Sequence, residues 1–155
     1  MLNLITNRTA RDVARWKELH DKGWDAMTPE EQSEWLAGMK GAYKHTDMNR
    51  VESAVQTLAA RFAERGTNLT LTTKTDWART DWPQVADMKR YYLNVETLLR
   101  ATGVNLPVPE PPTAATRLNY EIANNLEKIL LAVERWLDSS EESHHYSGEI
   151  YAGEV

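Results

Sequence analysis

The 155-residue chain contains no cysteine. A disulfide framework, a thiolate metal site and a cysteine nucleophile are therefore excluded. No apolar run approaches the roughly 20 residues that a membrane-spanning helix needs. The opening residues, Met-Leu-Asn-Leu-Ile-Thr-Asn-Arg, lack a basic start followed by a long apolar stretch, so no signal peptide is expected. There is no basic excess either: 18 Lys and Arg stand against 23 Asp and Glu, for a net charge of −5. Nucleic-acid binding needs a basic stripe, and so does adhesion to an anionic membrane. Neither partner is expected.

Catalytic signatures are missing too. The chain has no Gly-rich phosphate loop, no His-Glu-x-x-His and no Gly-x-Ser-x-Gly. His20 and His45 stand alone, and a general base needs an orienting partner. His144-His145, near Glu141 and Glu142, is the one His cluster. A closed metal site needs three or four ligands, and a solvated helix end explains the group as well. The expectation is a protein that is not an enzyme, with no cofactor and no metal.

What is present fits one soluble domain with a real core: 41% hydrophobic and 26% charged residues. Six Trp and six Tyr against one Phe is unusual. These side chains suit places where one edge stays wet. Helix signals recur along the chain. Thr9 and Asp12 have capping-box spacing, with Val13, Trp16 and Leu19 or His20 behind them and Gly23 as the stop. Thr28-Pro29-Glu30-Glu31 opens a second helix with Trp35, Leu36 and Met39. Thr46 is the expected cap of a third, with Met48, Val51, Val55, Leu58 and Phe62 as its apolar stripe and Gly66 as its end. Pro83 is expected to start a fourth, carrying Val85, Met88, Tyr92, Val95 and Leu99 to Gly103. A fifth, over roughly 116–138, carries Leu118, Ile122, Leu126, Ile129, Val133 and Trp136.

Between the third and fourth helices the period changes. Asn68-Leu-Thr-Leu-Thr-Thr73 alternates and reads as a short strand. The expected fold is mainly α: about five helices, a minor β element and an extended C-terminal arm. Residues 1–103 form the helical domain with the β element. Residues 104–115, with Pro107, Pro109, Pro111 and Pro112, form a semi-rigid connector. Residues 116–140 form a helix packed on the domain, and 141–155 the arm.

Two segments are candidates for binding. The chain closes on Tyr146-Ser-Gly-Glu-Ile150 and Tyr151-Ala-Gly-Glu-Val155, two copies of Tyr-small-Gly-Glu-aliphatic. Residues 141–155 hold four Glu and no Lys or Arg, leaving −1 for residues 1–140. As a strand, a repeat of five would put Tyr146 and Tyr151 on opposite faces. Tyr146, Ile150, Tyr151 and Val155 would supply contacts, with Gly148 and Gly153 allowing close backbone approach. Strand addition to a partner's edge and docking beside 68–73 of the same chain both fit. The second segment repeats Thr-Asp-Trp, at Thr75-Asp76-Trp77 and Thr80-Asp81-Trp82. Asp beside Trp can hold a surface glycan, so Asp76, Trp77, Asp81 and Trp82 form an alternative ligand site. Asx-turn chemistry ahead of a helix explains them with less.

Four stretches together resemble a known family. They are Trp35-Leu-Ala-Gly-Met-Lys-Gly-Ala-Tyr43, Thr46-Asp-Met-Asn-Arg-Val51, Thr75-Asp-Trp77 through Asp81-Trp-Pro83, and Glu127-Lys-Ile-Leu130 with the Tyr-Ser-Gly-Glu tail. The set is similar to small phage and prophage proteins of Gram-positive gut bacteria, encoded among structural and tail genes. The resemblance spans nearly the whole chain. It departs at Ser143-His144-His145-Tyr146, where a more hydrophobic lead-in stands in the family. It implies a non-catalytic virion structural protein of the tail or tail tip, made in the host cytoplasm and then carried in the particle. Its partners would be other phage structural proteins or copies of itself. The rival expectations are a glycan or host-receptor binding module and a phage factor that sequesters a host component.

Overall fold

A computed structural model describes the backbone of residues 1–153 and the side chains of residues 1–143. Among the described residues the order is α1 (Ala10–Lys22), a 3₁₀ turn (Trp24–Ala26), α2 (Pro29–Ala37), α3 (His45–Glu64), α4 (Val85–Ala101) and α5 (Tyr120–Gly153). The caps explain most boundaries. Thr9 accepts from the Asp12 amide while Asp12 accepts from the Thr9 amide. Thr28 and Glu31 do the same for α2. Gly23 and Gly66 close α1 and α3 at φ 77° and 84°, the left-handed region that glycine enters without penalty.

Three starts differ from expectation. α3 begins at His45 rather than after Thr46, because the Asp47 carboxylate reaches back to the Lys44 amide at 2.8 Å. α4 begins at Val85, two residues after Pro83, where Asp87 satisfies the Gln84 amide. α5 begins at Tyr120, where the Asn119 side chain accepts from the Ile122 amide at 2.8 Å.

The core lies where α3, α4 and α5 meet. Val51, Val55, Leu58, Phe62, Tyr91, Tyr92, Val95, Leu98, Leu126, Ile129, Leu130, Val133 and Leu137 are buried in one cluster. Each such side chain stabilises the fold by about 1.5–3 kcal/mol on burial. Leu99 and Ile122 sit at its edge. α3 and α5 run parallel, as the order of their ion pairs shows: Asp47 and Arg50 meet Arg8 and Glu127, Arg61 meets Asp138, and Arg65 meets Glu141.

Residues 67–84 join α3 to α4. The expected strand at 68–73 is not seen; no β-strand occurs among the described residues. The alternation itself is real. Leu69 and Leu71 pack on the core while Thr70 and Thr72 are exposed. The segment is extended, but helix side chains satisfy its backbone in place of a second strand. Asn94 and Arg90 both donate to the Thr72 carbonyl, at 2.7 and 2.8 Å, and Glu52 accepts from the Lys74 amide. Its contacts with α3 run backwards: Thr73 meets Gln56, Lys74 meets Glu52 and Trp77 meets Asn49. The chain thus returns to the end at which α3 began. The proline-rich stretch also packs against the core, through Leu106 and Val108.

The N-terminal residues form a second strap, antiparallel to α5. The Leu2 amide donates to Glu134, the Ile5 amide to Glu127 and the Arg8 amide to Asn124. Asn124 donates back to the Arg8 carbonyl.

The arm expected to be extended from residue 141 instead continues α5 to Gly153. The packed part of α5 already bears the nucleation cost, so each added residue only propagates the helix. Lone glycines at 148 and 153 cost about 1 kcal/mol each relative to Ala, which does not stop it.

Candidate interaction surface

The Thr-Asp-Trp segment is held by α3. Asn49 grips Trp77 at both backbone groups: its Oδ1 accepts from the Trp77 amide at 2.7 Å and its Nδ2 donates to the Trp77 carbonyl at 2.9 Å. The Trp77 indole N–H donates to Glu52 at 3.2 Å, and the ring is 5% exposed. Trp77 is thus an anchor of the return segment. Asp76 pairs with Lys74 at 2.8 Å, and that hydrogen bond holds its carboxyl below the usual carboxylate range. Asp81 accepts from the Ala78 amide at 2.8 Å, an Asx-type turn. Trp82 differs from all three. It is 83% exposed, and Val85 beside it is 81% exposed. The four residues proposed as a ligand box therefore divide: Trp77 faces the core, Asp76 and Asp81 serve local pairs, and Trp82 faces solvent.

The fold also holds two buried ionic groups that the sequence pattern did not announce. Glu127 is fully buried and accepts from the Ile5 amide, Arg8 and Arg50. Arg8, 4% exposed, also pairs with Asp47 at 3.2 Å and stacks over the Tyr43 ring at 5.2 Å. Two guanidiniums offset two carboxylates, so the group is neutral as a whole. Its neighbours Tyr43 and Tyr91 share a hydroxyl–hydroxyl bond, and burial pushes both phenols well above their ordinary pKa. The second group joins Glu52 to Arg90 at 2.7 Å, with Trp77 and the Lys74 amide as further donors. The available signal was an acid inside an apolar face: Glu127 falls in the buried face with Ala123, Leu126 and Leu130, and Glu52 beside Val51 and Val55. These carboxylates are saturated by partners from four chain segments. Their arrangement ties strap, return segment and helices together.

The far end of α5 is fastened by Arg61 and Arg65. Arg61 meets Asp138 and Glu141, each at 2.8 Å, and Arg65 meets Glu141 at 2.8 Å. Arg61, then Arg65, draw the Glu141 carboxyl below its ordinary range. Phe62 stacks on Trp136 at 5.9 Å, with Arg65 over the same indole. Glu141 is thus level with the last turn of α3, and the backbone of α5 continues 12 residues further. The proposed contact residues Tyr146, Gly148, Ile150, Tyr151 and Gly153 lie on that continuation, with side chains outside the described residues; Val155 lies outside them altogether.

His20 is exposed, 4.9 Å from the Trp16 ring, and His45 opens α3. Among the described residues no three His, Asp or Glu side chains gather to hold a metal, and no helix is long and apolar enough to cross a membrane. An open depression is lined by Glu121, Asn124, Asn125 and Lys128, of which Asn124 is already spent on Arg8. Comparison of the chain with family models, curated proteins and solved structures finds no match.

Proposed function

We propose that this protein is a non-catalytic structural protein of a phage virion, assembled in the tail or tail tip, whose C-terminal segment makes the partner contact. The observation that carries the reading is the overshoot of α5. Its last described side-chain contact with α3 is at Glu141. The helix then runs on for 12 residues, about 18 Å. Those residues include the two Tyr-small-Gly-Glu-aliphatic units. A projecting helix of that composition is useful to a neighbour rather than to its own core. Tyr146 and Ile150 are four apart, so they share one side of a helix. The contact is then helix-in-groove rather than strand addition. The four-segment resemblance supplies the phage setting. The protein would be made in the host cytoplasm and retained in the particle.

Quantitative mass spectrometry of purified particles from the encoding phage tests this. The expected result is a fixed number of copies per particle that survives a high-salt wash. Abundance in infected cells with none in purified particles contradicts the reading.

A further inference from the structure

Two features lie at opposite ends of the fold. At one end Trp82 and Val85 are exposed, with exposed Pro83 between them. An exposed Trp beside further apolar surface is the kind of anchor that a partner buries. Arg79 and Lys89 flank it, exposed and unpaired among the described residues. The nearby acids are already engaged: Asp76 with Lys74, Asp81 with the Ala78 amide, Asp87 with the Gln84 amide. At the other end α5 continues past Glu141, and the sequence from there holds Tyr146, Ile150 and Tyr151 with Glu149 and Glu154.

α3 serves as the ruler between them. Trp77 is gripped at Asn49; the chain then turns at Ala78–Asp81, where Asp81 comes back to Lys74 at 3.7 Å, and enters α4, whose Arg90 meets Glu52 near the same end of α3. Glu141 is gripped at Arg65. Asn49 and Arg65 are 16 residues apart, about 24 Å of helix. Because α5 runs parallel to α3, its described backbone from Glu141 to Gly153 leads away from Trp82. Two copies stacked head to tail bring one tail to the other's patch.

We propose that the Trp82–Val85 surface is the docking site for the C-terminal segment of a second copy of this chain. This names the partner in the function proposed above and rests on its assignment of contact to the tail. The aromatic and aliphatic tail residues cover Trp82 and Val85, while Glu149 and Glu154 face Arg79 and Lys89. The two surfaces are different, so the contact is heterologous and repeats from copy to copy into a ring or a filament.

Three forms of the full protein are compared by sedimentation over a concentration series at low salt: the unaltered chain, the double variant Trp82→Ala with Val85→Ser, and a chain ending at Ser143. The first two substitutions are on exposed side chains and leave the fold intact, which circular dichroism verifies. The unaltered chain is expected to gain mass with concentration. Each altered form alone should associate about tenfold or more weakly, the loss of at least one anchor contact. Mixed in equal amounts, the two altered forms should make a heterodimer and stop, since the pair holds one intact patch and one intact tail. An unaltered chain that stays monomeric throughout overturns the proposal. So do variants that associate like it, or a mixture that remains monomeric. A chain that is monomeric yet needs residues 144–155 to enter particles overturns this proposal alone. Self-association by this route in a protein missing from particles overturns only the virion reading.

Discussion

Glu127 has the most to lose from substitution. Its two oxygens accept from the Ile5 amide, from Arg8 and from Arg50, and none of it reaches solvent. Glu127→Gln keeps the shape but removes the charge, leaving two guanidiniums facing Asp47 alone. Breaking one side of a buried ion pair costs about 3–5 kcal/mol, and urea unfolding should read a loss of that size. A change under about 1 kcal/mol would mean that water reaches the group. The Tyr43–Tyr91 pair gives a second reading of the same interior. Burial raises both phenols, chiefly by desolvating the phenolate. Their contribution to stability is present below the ordinary value of 10.0 and is lost as pH rises toward the raised folded value. A spectrophotometric titration should show these two of the six tyrosines ionising only as the chain unfolds. Six tyrosines that ionise together near pH 10 would contradict that placement.

Helix α1 joins the body through a close approach at Gly41. A Cβ built there would lie 2.0 Å from the Asp12 carbonyl oxygen. Gly41→Ala should therefore cost about 1–3 kcal/mol by overpacking, seen as an earlier thermal transition. An unchanged melt would show that the α1 backbone can step aside. The helices themselves were legible in sequence because the period of Val51, Val55, Leu58 and Phe62, and of Leu126, Ile129 and Val133, directly records which face is buried. Their starts were less so. Asp47 and Asp87 act by reaching back three residues to Lys44 and Gln84, residues with no cap signature of their own. The extended return segment was legible in Leu69 and Leu71, but its partners were not. A strand is recognised from its own alternation, whereas here the backbone bonds come from Glu52, Arg90 and Asn94, far along the chain. The tail misled for a related reason: its Gly and aromatic residues suit a strand in isolation, and only the packed helix ahead of it favours helix.

For the molecule as a whole, the stabilising contacts and the proposed working surfaces are separate. α3, α4 and α5 bury the core, and the two straps are fixed by Glu52, Asn124, Glu127 and Glu134. Trp82 at one end and the α5 overshoot at the other take no described part in that core. The site was only half legible from sequence. Two Thr-Asp-Trp units look alike, and only the grip of Asn49 and Glu52 on Trp77 distinguishes the anchor from the exposed Trp82. That separation makes one measurement decisive: the chain lacking residues 144–155, supplied in place of the intact one, followed by its thermal melt and its copy number in purified particles. The account predicts a nearly unchanged melt, because every described side-chain contact of α5 with α3 ends at Glu141, together with loss of the protein from particles. A chain that unfolds on deletion, or one that enters particles at full copy number without its tail, would contradict it.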